Sequence, residues 1–161
     1  MSDSVQQLRD WGSQLERALG FPITIDQNGM LGLVTKAGRA FSIAPVPRQR
    51  VLIFTGLVGV ADDAMPAEML RALLMLNADL GAAGMAGVAM VPHTRDITFR
   101  LTWQPAEEHW NETAFGTILA EFAENVDVLS SAVATRDASQ LIGLSPPPDE
   151  AAIPSNDQSF V

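Results

Sequence analysis

The chain predicts an α+β fold in which one antiparallel, twisted sheet carries three helices in the order α-β-β-β-β-α-β-β-α. Three observations lead there. Apolar residues recur at three- and four-residue spacing in three separate stretches, around residues 5–19, 69–80 and 115–133. Asn28-Gly29 stands between two apolar runs, and that dipeptide favours a tight hairpin because both residues tolerate positive φ. Ile97, Phe99, Leu101 and Trp103 alternate with Thr98, Arg100 and Thr102, the pattern of a strand buried on one side. At 161 residues the chain fits one domain, within the usual ~100–200 residues, and needs no metal or disulfide staple.

The first helix places Val5, Leu8, Gly12, Leu15 and Leu19 on one face, with Ser2, Asp3 or Ser4 as its cap. Gly20 and Pro22 end it, because glycine accepts a left-handed cap and proline cannot continue a helix. Ile23-Thr24-Ile25 is a strand, Asp26 to Gly29 its turn and Met30 to Thr35 the return. Lys36-Ala37-Gly38 leads into a third strand, Arg39 to Ala44, which Pro45 and Pro47 close off. Arg50 to Val60 is nearly continuous in apolar residues, so part of this fourth strand is covered on both faces. Gly56 and Gly59 mark a bulge or a close backbone approach within it.

Asp62 and Asp63, ahead of Pro66, suit a helix N-terminus as capping groups. The second helix then runs to about Leu80. Met69, Leu73, Leu76 and Leu80 form one face, and Leu70, Leu74 and Met75 widen it until the helix must be buried on more than one side. In a small domain that second cover is often another subunit. Met85 to Val91 and Ile97 to Trp103 are the last two strands, joined by a turn at Pro92 to Arg95. The last helix begins between Glu107 and Asn111 and turns Glu112, Glu121, Glu124 and Asp127 outward. Periodicity stops at Ser139. Residues 1–138 are therefore read as the domain, and 139–161, with Pro146-Pro147-Pro148, as a Pro-rich, flexible tail.

Composition excludes several functions. The chain has no cysteine, which removes disulfides, thiolate metal sites and cysteine nucleophiles. Its net charge is −9, against a nucleic-acid binder, which needs Lys and Arg to displace counterions. That charge is localised: residues 1–100 balance nine basic against nine acidic groups, and residues 101–161 set ten acidic groups against Arg136 alone. The acidic third reads as a solubilising face, or as a field that steers a basic partner. No stretch resembles an export signal or a membrane span, so a cytoplasmic protein without membrane insertion is expected.

Reactive groups are sparse. His93 and His109 share no metal-ligand spacing and read as exposed side chains. Gly81 to Gly87 lies after a helix and before a strand and holds no lysine, the wrong order for a phosphate loop. Adjacent Glu107 and Glu108 point in different directions on a helix. No cofactor, metal site or catalytic residue is expected. Six methionines beyond Met1 read as core packing, or as an apolar surface that repacks around a polypeptide.

With these elements in order, a resemblance emerges. Leu8 to Leu15 (LRDWGSQL), Leu19-Gly20-Phe21-Pro22-Ile23 and Asp26-Gln27-Asn28-Gly29 resemble the opening of the class I type III secretion chaperones, the Tir chaperone family. Val51 to Gly59 looks like that family's long strand, Leu70 to Gly81 like its second helix, and Gly84 to Val91, Ile97 to Trp103 and Phe115 to Val133 like its last three elements. The resemblance spans residues 5–135. It implies a secretion-chaperone-like, homodimeric protein of bacterial cytoplasm, involved in virulence. Such a protein holds the N-terminal chaperone-binding segment of one or more secreted effectors, keeping them stable and secretion-competent without ATP or chemistry.

Two surfaces follow as expectations. Leu70, Leu73, Leu74 and Asn77, with Met85 and Val88, are candidates for the dimer contact. Leu31, Leu33, Phe41, Ile43 and Val46, beside the first helix, are candidates for effector binding. A non-catalytic adaptor of the same fold, binding a folded partner, is the alternative reading.

Overall fold

Among the described residues six strands form a single antiparallel sheet in the order β1-β2-β3-β4-β6-β5. The computed structural model describes residues 4–19, 23–82 and 86–144. Along the chain these form α1 (Ser4–Leu19), β1 (Thr24–Ile25), β2 (Leu31–Val34), β3 (Ala40–Pro45), β4 (Leu52–Val60), α2 (Ala67–Ala82), β5 (Ala86–Met90), β6 (Asp96–Trp103) and α3 (Glu112–Thr135). Short 3-10 turns at Glu107–His109 and Ala138–Leu144 flank α3. Class and element order are those expected. The candidate helix stops Gly20 and Pro22 lie outside the described residues.

Local chemistry explains the boundaries. In the β1–β2 turn the Asp26 carboxylate accepts hydrogen bonds from the Asn28 and Met30 amides, both at 2.8 Å, and Gly29 takes φ +80°. Asn111 caps α3, its side chain accepting from the Ala114 amide at 2.9 Å. Arg136 ends α3 in the left-handed region, φ 56°. A register shift lies between Leu57 and Gly59 of β4, the bulge its glycines signalled.

The helices pack on one face of the sheet. Leu31 and Leu33 of β2, Phe41 and Ile43 of β3, Phe54 of β4 and Phe99 of β6 line it and are all buried. Gly56 and Gly59 let α3 settle against β4: a Cβ on Gly56 would stand 2.7 Å from Val126 Cγ2, and one on Gly59 would collide with Val133. Gly12 of α1 likewise lies against Leu31. Above the sheet the aromatic rings of the described residues form one cluster. Phe122 stacks on Phe99 at 5.0 Å and tilts against Phe54 at 5.2 Å, and Trp11 stacks on Phe115 at 4.8 Å. Each such pair adds about 0.5–1.5 kcal/mol beyond its area burial.

Three expectations change. Asp62 and Asp63 act as ion partners: Arg136 Nη2 lies 2.9 Å from Asp62 Oδ2, Arg136 Nη1 donates to the Ala64 carbonyl, and Arg95 pairs with Asp63. The one cation of the acidic third thus ties the end of α3 to the β4–α2 loop. Asp127, half-buried, turns toward the β2–β3 turn, where it accepts from the Thr35 hydroxyl and the Ala37 amide and clamps that turn to α3. The packed chain also extends past residue 138. Ala138–Leu144 lies against α2 and α3 and buries Leu141 to 4% exposure. At its start, hydrogen bonds from the Ser139 hydroxyl and amide hold the Asp137 carboxyl below its ordinary pKa. Residues 145–161 of the expected tail lie outside the described residues.

Candidate functional site

The apolar excess of α2 opens onto a groove beside β5. Leu73 and Leu76 turn into the core, leaving Leu70 and Leu74 on the outer side at 39% and 70% exposure. Those residues, with Leu73, Asn77, Val88 and Met90, line a hollow of about 220 Å³ whose walls are almost wholly apolar. Five of the six residues expected at a dimer contact therefore converge: Leu70, Leu73, Leu74, Asn77 and Val88. Met85, the sixth, lies outside the described residues. Neighbouring Met75, Met90 and Val91 extend the exposed apolar surface. Exposed apolar side chains scattered singly need no explanation, but a contiguous set around a hollow marks an interaction site.

The residues expected to meet an effector are placed differently. Leu31 and Ile43 are fully buried, and Leu33 and Phe41 are 8% and 6% exposed, all on the helix-covered face. As folded they present almost no side-chain surface to a partner. The physical reason is strand alternation: β2 reads Leu-Gly-Leu-Val, and its two leucines and its Val34 point to opposite faces. Val46 is half-buried, and its carbonyl accepts from the Ser4 hydroxyl at 2.7 Å, anchoring the start of α1.

The other face of the same strands is open. Register places Gly32, Ser42, Thr55 and Arg100 in one cross-strand row, and Val34 opposite Ala40 and Leu57 opposite Thr98 in the next. Val34 is 60% and Leu57 49% exposed. This face is built of small, β-branched and apolar residues around the single cation Arg100. Sequence reasoning missed it because Gly32, Ser42 and Thr55 carry no hydrophobic signal, and the apolar Val34 and Leu57 do not show locally which side of their strands the helices cover.

The remaining candidates for chemistry stay apart. His93 and His109 are exposed, one in the β5–β6 turn and the other in the 3-10 turn before α3. Among the described residues no group of three His, Asp or Glu could hold a metal ion. Among them, too, no helix is long and apolar enough to cross a membrane. The methionines divide: Met69 is core, and Met30, Met75 and Met90 are exposed.

Comparison with known proteins agrees with this geometry. A model of the Tir chaperone protein (CesT) family matches residues 13–136. The fold is similar to a chain in the HopA1–SchA chaperone–effector complex, with TM-score 0.63, 15% identity, and coverage of 80% of this chain and 97% of that one. A chain of the ExsC–ExsE complex matches with TM-score 0.66 and 14% identity, over 82% of this chain and 97% of the other. The Yersinia pestis type III secretion chaperone SycH, in complex with a fragment of YscM2, provides a third likeness, with TM-score 0.56, 13% identity and coverage of 76% and 98%. No curated protein sequence matches the chain.

Proposed function

Because the chain belongs to the Tir chaperone protein (CesT) family, we infer that it is a type III secretion chaperone. It binds the N-terminal chaperone-binding segment of an effector and keeps it stable and secretion-competent in the bacterial cytoplasm, without ATP. It works as a homodimer joined through the α2–β5 groove, and it catalyses no reaction. The observation that carries this reading is the open sheet face. A two-layer α/β domain leaves one side of its sheet bare, and here that side carries small and hydroxyl-bearing residues around Arg100, with Val34 and Leu57 standing out of it.

An extended client segment suits such a surface. It contributes apolar side chains to the shallow face while its backbone keeps its hydrogen bonds with water or with a sheet edge. Ordering the segment costs about 2–5 kcal/mol or more, so a broad contact is required. The HopA1–SchA chaperone–effector complex among the fold neighbours supports the same kind of partner.

The test is co-expression with a type III substrate encoded beside this chain, intact or lacking its first ~100 residues. Co-purification with the intact client and its loss on truncation supports the chaperone reading. Equal binding of a folded client core without that segment favours the adaptor.

A further inference from the structure

Asn77 does more in the groove than contribute area. Its side-chain amide donates to the Val88 carbonyl at 2.7 Å, and its Oδ1 accepts from the Val88 amide at 2.6 Å. Val88 is the middle residue of β5, an edge strand whose sheet neighbour is β6. In an antiparallel ladder the N–H and C=O of one residue point to the same side, and successive residues alternate. Val91 bonds the β6 side, its amide donating to the Asp96 carbonyl and its carbonyl accepting from Arg95. By alternation Ala86, Val88 and Met90 direct their backbone groups outward. Asn77 therefore fills the central donor–acceptor pair of the free edge, where a neighbouring strand would bond.

An unpaired edge is a template for strand addition. With β5 open, two copies could join β5 to β5 into one continuous sheet, or β5 to β1 without limit. The adjoining surface stays available to side chains instead, because Leu70, Leu74 and Met90 remain exposed around the hollow. A two-fold contact sets the same patch of each copy against the other, and here Leu74, 70% exposed, stands at the rim of an apolar hollow.

We propose that Asn77 is the specificity-determining residue of this face: by closing β5 it makes a second copy of the chain meet the groove through side chains and bars association by sheet extension. This rests on the dimer reading above. It assigns Asn77 a role distinct from that of Leu70 and Leu74, which supply contact area, and it reserves the β5 side from client strands.

The test uses the full chain with Asn77→Ala and Asn77→Asp, read by amide hydrogen exchange at Val88 and by light scattering at micromolar concentration. In Asn77→Ala the Val88 amide is expected to exchange about tenfold faster, as loss of one hydrogen bond implies. Core amides such as Phe54 keep their protection, and species larger than those of the wild type appear. Asn77→Asp retains the acceptor for the Val88 amide but sets a second acceptor against the Val88 carbonyl. It is expected to keep Val88 protected and still to associate. Phe54 protection reports whether each variant is folded, and if the alanine variant loses it, association of the aspartate variant decides. Wild-type mass in both variants, or unchanged Val88 exchange in a folded Asn77→Ala chain, overturns the proposal. A wild-type chain that is strictly monomeric overturns the dimer reading by itself, and Val88 exchange then still decides whether Asn77 closes the edge.

Discussion

Leu31 and Val34 sit three residues apart on one short strand, and the structure assigns them opposite duties. Leu31 is fully buried beneath α1, and Val34 is 60% exposed on the open sheet face. Leu31→Ala removes three carbons, about 2.4 kcal/mol of transfer free energy at ~0.8 kcal/mol per methylene. The cavity left against α1 raises the cost to about 2–5 kcal/mol, since close-packed surroundings relax only in part. For a chain of this size that lowers Tm by roughly 5–20 °C, at ~2–4 °C per kcal/mol. Val34→Thr keeps β-branching and exposes a hydroxyl to water, so its effect on stability stays within about 0.5 kcal/mol. Urea unfolding followed by tryptophan fluorescence reads both, because Trp11 of α1 is buried in the same core. Protomer concentration is held fixed, since the proposed dimerisation would couple to stability. The client experiment reverses the order: Val34→Thr weakens effector binding, and Leu31→Ala affects it only through lost folded protein. A stability loss no larger for Leu31→Ala than for Val34→Thr refutes this division of the strand.

Three further outcomes follow from single contacts. Leu74→Glu places a charge on the most exposed leucine of the groove and is expected to convert the proposed dimer to a folded monomer, with unchanged circular dichroism; a persisting dimer removes the groove as the interface. Gly56→Ala puts a methyl 2.7 Å from Val126 Cγ2 and costs about 1–3 kcal/mol, and Val126→Ala in the same chain recovers part of it. Strict additivity of the two in a double-mutant cycle contradicts the packing of α3 on β4. Arg136 holds a left-handed φ, so Arg136→Ala is expected to be less stable than Arg136→Gly by about 1 kcal/mol, although both lose the Asp62 ion pair. An alanine variant as stable as the glycine one contradicts that strain.

Most of the fold could be read from local pattern. The spacing of Leu8, Leu15 and Leu19, the Asn28-Gly29 turn and the alternation from Ile97 to Trp103 each depend on residues close in sequence, and each element formed where expected. What escaped depends on distant partners. Asp62 meets Arg136 across 74 residues, Thr35 meets Asp127 across 92, and no local rule links them. The over-apolar α2 announced a groove because its excess is visible on one helix. The open sheet face stayed hidden because alternation says which residues share a side, and not which side the helices cover. In β2 both sides carry apolar residues, so Leu31 and Val34 look alike until α1 and α3 are placed. The acidic third likewise divides on inspection: Glu121 and Glu124 are exposed, and Asp127 is committed to a turn.

The central claim is that this chain makes an effector available for type III secretion. The most direct measurement compares the proteins released into the medium by the producing bacterium with and without the chain, under secreting conditions. One or a few type III substrates are predicted to disappear from the medium on its removal and to return with the wild-type chain, while the other substrates are released as before. An unchanged set of released proteins would contradict the account.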